Sequence, residues 1–425
     1  MKALYTKTTI VDKLWEQFSQ YFSEQTKPTA RHLFELVLSV LALNGYQSVS
    51  FNHEHFITEI SRSCLNSYYY ALNESNIDLL GWMKNLTKAA LSIVPRECSQ
   101  LPIVLAIDDT LIEKAGTAFE NCERLYDHTN RNGSHYIKGH CFVSLLMNVP
   151  VIADKQKKYL SIPVAYRMWD DSQSKLDMAA ELVKSAMELL ENRQVILCCD
   201  SWYPKGAVNR LVDEYDNLTL ICNARLDTAL YALPPVSTGK RGRPRVRGDR
   251  LTPKEFELTE VSDTDYCVGT QAVKTALFGR RTVHAIVTKA KKSENYRLFI
   301  CTKAPSELTF DLSFLQNATA LAYAGADPDF LPLAIYSLRW NIEAAYYEQK
   351  TFWSLGRYML ESRTGIERLV NLLSLIYSAL KLLPFQSQAF SALMGLSTQE
   401  CRFRLGQLVQ RQVFFAVLGS RPKTA

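Results

Sequence analysis

A chain of 425 residues is too long for one simple core and predicts two or three domains. At 47% hydrophobic and 22% charged residues it has the composition of a globular protein, which excludes a disordered or fibrous chain. The formal net charge of +6 is concentrated between Gly239 and Arg250, where Lys240, Arg241, Arg243, Arg245, Arg247 and Arg250 face Asp249 alone, so a polyanionic partner is expected.

The first 18 residues, MKALYTKTTIVDKLWEQF, lack the apolar core and cleavage site of a signal peptide. No uninterrupted apolar run reaches the ~18 residues of a membrane helix, and a cytoplasmic protein is expected. The ten cysteines are scattered, without a C-x-x-C pair, and Cys198–Cys199 lie inside an apolar run. They read as reduced, mostly buried thiols rather than a disulfide framework or a zinc site.

In chain order, residues 1–95 carry helix-spaced apolar residues, for example Val11–Phe22 and Ala30–Leu43, and predict a helical N-terminal domain. Residues 96–225 change texture. Leu101–Ile107 reads as a buried strand ending at Asp108. Tyr136–Val149 and Lys158–Tyr166 are further strands, and Lys175–Glu191 is an amphipathic helix. Gln194–Cys199 is another buried strand, ending at Asp200, followed by a short helix at Pro204–Glu214 and a strand at Leu218–Cys222. A meander of three strands followed by alternating helices and strands predicts an α/β class with a mixed sheet. Residues 226–330 carry the basic arm and strands at Glu255–Val261, Tyr266–Thr275, Arg281–Thr288 and Tyr296–Thr302, a β-rich insertion. Helix returns from Leu331 to Phe352, completing a core of 96–225 and 331–385. Residues 386–425 form a helical C-terminal region.

Three carboxylates stand out. A carboxylate at a strand end leaves a rigid, dry element just where it meets solvent, which suits a metal ligand, although such an Asp can equally start a turn. Within IYSLRWNIEAAYYEQKTFW, the helical period places Tyr336, Arg339, Glu343 and Lys350 inside an arc of about 60°. Ile335, Leu338, Ile342 and Ala345 fall on the opposite, apolar face. One helix thus presents a carboxylate among two cations and a phenol, a pattern that an exposed Arg339–Glu343 pair would also satisfy.

The spacing Y-(2)-R-(3)-E-(6)-K at Tyr336, Arg339, Glu343 and Lys350, behind the aspartates of AIDDT and CCDSWYPKG, resembles the signature of DDE transposases of bacterial insertion sequences, the insertion-sequence-4-like family in particular. The resemblance implies an RNase H-like catalytic core with a β insertion before the Glu. It implies Asp108, Asp200 and Glu343 as the catalytic set holding two Mg²⁺ or Mn²⁺ ions. It assigns Tyr336, Arg339 and Lys350 to DNA phosphates. It also implies cleavage of double-stranded DNA at transposon ends, strand transfer into target DNA with a hairpin as one route, a homodimer on DNA, and a nucleoid-associated place in a bacterial cell. Asp109 is the alternative to Asp108, since side chains alternate faces on a strand and only one of the two can enter the site. The chemistry agrees: two divalent ions activate the attacking oxygen and stabilise the leaving one, and hard carboxylate oxygens suit them.

The arm's Arg241–Pro244 reads R-G-R-P and resembles an AT-hook, with Arg241, Arg243 and Arg245 as DNA-binding residues in a minor groove or on phosphates. Lys138 and His140 could approach the site if their strand pairs with that of Asp108, although a core histidine is the simpler reading. His128 and His135 lie in a polar loop. Trp202, Trp340 and Trp353 are candidates for stacking on a base, against plain core packing. Arg363 and Arg368 are candidate phosphate contacts, or a solvated helix face. A catalytically inactive, transposase-derived DNA-binding protein is the competing function. A nuclease of the same fold without strand transfer is a third.

Overall fold

The structure is a computed structural model that describes residues 9–127, 135–236, 245–315 and 317–420, with side chains described as far as residue 416. Arg241, Arg243 and His128 lie outside the described residues.

The chain opens with helices α1 (Ile10–Phe18) and α2 (Lys27–Ala42). Thr9 and Asp12 close a capping box on the first, and the Thr26 side chain accepts from the Thr29 N–H on the second. Two short helices, α3 (Val49–Asn52) and α4 (Thr58–Ile60), flank a π-helical turn and lead to α5 (Leu65–Asn73) and α6 (Leu79–Ser92). The core follows as β1 (Ile103–Glu113), β2 (Glu123–Tyr126), β3 (Tyr136–Ala153), β4 (Gln156–Met168), α7 (Lys175–Met187), β5 (Val195–Cys199), α8 (Gly206–Glu214) and β6 (Leu218–Ala224). Next come β7 (Leu230–Tyr231), β8 (Arg250–Leu251), β9 (Thr259–Glu260), β10 (Tyr266–Thr275), β11 (Thr282–Ala290) and β12 (Tyr296–Cys301). Helices α9 (Ala318–Ala326), α10 (Leu331–Tyr336), α11 (Trp340–Phe352), α12 (Arg363–Gln386) and α13 (Thr398–Ser420) finish the chain.

The strands form one mixed sheet. Its first part reads β4-β3-β1-β5-β6, antiparallel from β4 to β1 and parallel from β1 to β6. A meander whose first strand is joined in parallel by two strands with helical crossovers is the expected RNase H-like arrangement. The insertion is not a separate layer. Strand β12 pairs antiparallel with β6, and β11 and β10 continue from it, so the insertion widens the same sheet. Helix α9 within it was not expected, because its run ATALAYAGA has no amphipathic period to announce it.

Strand β1 also departs from expectation. It does not stop at Asp108 but runs on to Glu113, because β3 holds it in register from Val104↔Asn148 to Glu113↔Gly139. Its parallel neighbour stops first: the last β1–β5 pair is Ile107↔Cys199. Gly139 is required at the far end of this pairing, where a Cβ would come within 2.1 Å of the Ile112 carbonyl oxygen.

The two terminal regions, expected as separate units, pack together. Helix α13 lies along α2, and Gly406 permits it, since a Cβ there would stand 2.2 Å from the Leu41 carbonyl oxygen. Helix α12 packs on β4, α5 and α6. One hydrophobic cluster therefore runs from Leu14 through the sheet to Val409. Among the described residues α12 is the one helix long and apolar enough to cross a membrane, and most of it is buried inside the protein.

Asn148 ties the sheet to the helices. It is fully buried, donates to the Val104 carbonyl at 3.0 Å, and accepts from Ser161 at 2.7 Å and from Asn341 of α11 at 2.9 Å. Replacing it by leucine keeps the volume but strands these partners. Asn148→Leu is expected to lose about 1–3 kcal/mol of stability, read as a lower urea midpoint. An unchanged midpoint would refute the role assigned to Asn148.

Candidate active site

The site forms where β5 ends. Cys199 is its last residue, Asp200 follows, and Asp108 sits on β1 just past the final parallel pair. Both carboxylates line a cavity of about 490 Å³ together with Asp109, Glu343, Lys175 and Lys350.

Alternation on β1 separates the adjacent aspartates. Asp108 pairs with Ser144 across the strands and turns toward the 3₁₀ turn before α11, where its Oδ2 accepts from Arg339 Nη1 at 3.1 Å. Its Oδ1 accepts from the Asp109 N–H at 2.8 Å. Asp109 turns toward α7. It pairs with Lys175 at 2.9 Å and accepts from the Tyr203 hydroxyl at 3.1 Å and the Cys141 thiol at 3.2 Å. Lys175 was not singled out from the sequence, and no spacing pattern announces it. It opens α7 directly after the cap Ser174, which fixes the direction of its side chain.

Asp200 accepts from the Trp202 backbone N–H at 3.0 Å, a turn that stiffens the loop. The Trp202 ring is exposed beside the site, with Lys205 Nζ 4.4 Å from its centre.

The signature residues lie on a helical run that is tightened into a 3₁₀ turn at Ser337–Arg339. Arg339 binds Asp108 with one terminal nitrogen and Glu343 with the other. The Arg339–Glu343 pair is therefore not an isolated surface contact: the Arg339 side chain is only 12% exposed. Lys350 donates to the Leu111 carbonyl at 2.8 Å and lies on the cavity wall. Tyr336 has partners that the spacing did not announce: its hydroxyl donates to the Cys199 carbonyl at 3.2 Å and its ring packs on Phe299, so it braces the strand end before Asp200.

Other candidates fall away from the cavity. His140 is buried between the Tyr358 hydroxyl at 2.7 Å and the Glu120 carbonyl at 2.8 Å, a core histidine. Lys138 donates to the Gly116 carbonyl. His135 does not line the cavity but stacks on Tyr126, which does. Trp353 is fully buried and donates to Thr398, while Trp340 is exposed. Arg363 pairs with Asp170 at 2.7 Å and Arg368 donates to the Leu72 carbonyl, so both brace the fold. Arg245 is exposed. All ten cysteines are free, and Cys198 and Cys199 are buried, which holds their thiols above the usual range.

Burial, and then the neighbouring Asp200, push the Asp108 carboxyl up to about 7, against the pull of Arg339. Two carboxylates that disfavour each other's charge suit a divalent cation. The cavity wall offers carboxylate, hydroxyl and carbonyl oxygens and no thiol or imidazole among the described residues, a donor set for Mg²⁺ or Mn²⁺. Among the described residues, no three His, Cys, Asp or Glu side chains are grouped closely enough to hold a metal ion. Arg339 lies between two of the three carboxylates instead.

A carboxyl whose folded value lies above its unfolded one stabilises the fold fully below the unfolded value and loses that contribution as pH rises through the folded one. For Asp108 the window runs from 3.8 to about 7. Metal-free protein is expected to lose stability across it, and Asp108→Asn to flatten that part of the profile. Urea unfolding in chelator on either side of the window checks this; identical slopes in both proteins would refute it.

No curated protein matches the chain. Among solved structures, the Drosophila P element transposase strand transfer complex is similar over 91% of this chain and 86% of that chain, at 13% identity and a TM-score of 0.24, too low to add to the topology. The family model described as DDE superfamily endonuclease matches residues 57–284, more than half of the chain, including β1 with Asp108 and the end of β5 with Asp200. The chain belongs to the DDE superfamily of endonucleases.

Proposed function

We propose that the protein is a DNA transposase, close to the insertion-sequence-4-like family, that cleaves DNA at transposon ends and joins the freed 3′ ends to target DNA. One observation carries the reading: Asp108 on β1, and Asp200 just past the end of its parallel neighbour β5, open into one cavity faced by Glu343 and Lys350 of α11. The family match covers the two aspartates, and the cavity supplies the Glu that lies beyond the matched residues.

Asp108, Asp200 and Glu343 are the residues that would hold divalent metal. When bound, a pair of such ions activates the attacking oxygen and stabilises the leaving one. The chain's own groups do the rest. Tyr336 and the Trp202 N–H fix the position of Asp200 from two sides. Lys350 brings a positive charge to the cavity wall, and Arg339 offers a planar fork that matches a phosphate. Asp109, bound by Lys175 and Tyr203, supports the backbone beside Asp108 on the side toward α7.

The DNA is expected to lie across this cavity and toward the basic arm, where Arg241, Arg243 and Arg245 would enter an A·T-rich minor groove or neutralise phosphates. A pair of copies would hold two ends together.

The decisive test is cleavage of a linear duplex carrying the element's own ends, with Mg²⁺ or Mn²⁺. Asp200→Ala and Glu343→Ala should each lower the rate by more than about 100-fold, at least the loss that follows removal of an outer-shell metal partner. Cleavage that survives both substitutions would remove the site assignment. End binding without cleavage by the unaltered protein would favour the DNA-binding derivative.

Replacing Arg241, Arg243 and Arg245 together by alanine should weaken DNA binding and reduce the slope of log K against log salt by about 0.9 for each phosphate that the arm neutralises. Fluorescence anisotropy over a salt series measures it. An unaltered slope and affinity would remove the arm from the interface.

A further inference from the structure

We infer that Arg339 is an internal cation that keeps divalent metal out of the carboxylate cluster until a DNA phosphate draws its guanidinium away. The inference rests on the proposed metal-holding role of Asp108, Asp200 and Glu343, and adds a control on when they can serve.

The geometry is that of a bridge. The two terminal nitrogens of one guanidinium bind carboxylates from different elements, Asp108 of β1 and Glu343 of α11. A cation in that position already satisfies the negative charge that a divalent ion would need, and it occupies the space between the two groups. The two oxygens of Asp108 are divided: the Asp109 N–H holds Oδ1, and Arg339 holds Oδ2. Oδ2 is the atom to be exchanged between guanidinium and metal. Glu343 likewise gives Oε1 to the arginine.

A purely structural role would make Arg339 the attachment of α11 to the sheet. That attachment exists without it. Asn341 donates to Asn148 of β3, the Tyr346 and Ser144 hydroxyls share a hydrogen bond, and Gln349 donates to the Tyr166 hydroxyl of β4. Arg339 itself precedes α11, in the 3₁₀ turn between two helices, and none of the contacts that seat the helix uses its side chain. A phosphate diester offers the guanidinium a two-point acceptor outside the cluster. Once it turns there, Asp108 and Glu343 lose the cation that bridges them, and metal becomes the favoured neutraliser. Linkage makes the effect mutual: DNA raises metal affinity, and metal raises DNA affinity by the same factor.

The experiment is Mn²⁺ binding by calorimetry on the full chain, with and without a short blunt-ended duplex of arbitrary sequence. The unaltered protein should bind Mn²⁺ weakly alone and roughly tenfold or more tightly with the duplex, within the range of ordinary coupling between sites. Arg339→Met should bind Mn²⁺ at the tighter level without DNA and gain little when the duplex is added. Equal or weaker Mn²⁺ binding by Arg339→Met than by the unaltered protein, both without DNA, overturns the inference. Should Arg339→Met fail to fold, Arg339→Lys carries the comparison, since a single ammonium cannot bridge both carboxylates as the fork does. Its DNA-free affinity should rise above that of the unaltered protein, and no rise overturns the inference. Adding Asp200→Ala to Arg339→Met separates the two proposals. Loss of Mn²⁺ binding there supports the carboxylate set, whatever Arg339 does. Undiminished binding places the metal elsewhere and overturns both.

Discussion

Parallel pairing between β1 and β5 ends at Ile107↔Cys199, while β1 continues to Glu113 on the support of β3. That unequal ending is the constraint on which the site depends. It leaves Asp108 on a strand held by one neighbour only, with its other edge open. Asp200 emerges beside it from the strand that has stopped. Neither carboxylate has to be carried by a long loop, so both positions inherit the precision of the sheet. The same ending places two negative charges in a half-buried space, and that space governs the electrostatics of everything around it.

Three cations answer those charges, each in a different way. Lys175 binds Asp109 on the α7 face, and so supports the strand without entering the pair of Asp108 and Asp200. Lys350 is anchored to the Leu111 carbonyl, further along β1. Of the three, Arg339 is the one that binds Asp108 itself among the described residues, and it also binds Glu343. The seat of α11 is thus built from uncharged hydrogen bonds, whereas the charge of Asp108 is answered by one long side chain at a turn. Buried amide and hydroxyl contacts such as Asn341–Asn148 fix distance and angle. A guanidinium on a flexible stem fixes charge, and it can exchange partners with much less disturbance.

How much of this was legible in the sequence depended on whether the signal was local. Asp200 at the end of an apolar strand, and the Tyr336–Lys350 stripe at helical spacing, are local patterns, and both elements formed where the spacing placed them. The mixed-sheet α/β class also followed from the alternation of patterns along the chain. What the spacing could not show required knowledge of a partner. The length of β1 beyond Asp108 comes from β3, the merging of the insertion with the core from the β12–β6 ladder, and the joining of the terminal regions from the α13–α2 contact at Gly406. Tyr336 shows the same limit within a single residue. Its place on the helix was readable, but its hydroxyl partner, the Cys199 carbonyl, belongs to a strand more than a hundred residues earlier.

That hydrogen bond also shows how the two halves of the site keep their registration. The aspartates come from one part of the chain and the glutamate from another, with the whole insertion between them. Tyr336 joins the halves at the β5 end, and Asn341, Tyr346 and Gln349 join them along β3 and β4. The insertion strands extend the sheet from β6, on the side away from β1. They also reach the joint: Phe299 of β12 packs on the ring of Tyr336, whose hydroxyl holds the end of β5. The long β-rich segment between Asp200 and Glu343 thus continues the sheet that carries the aspartates and steadies the residue that leads the chain toward α11.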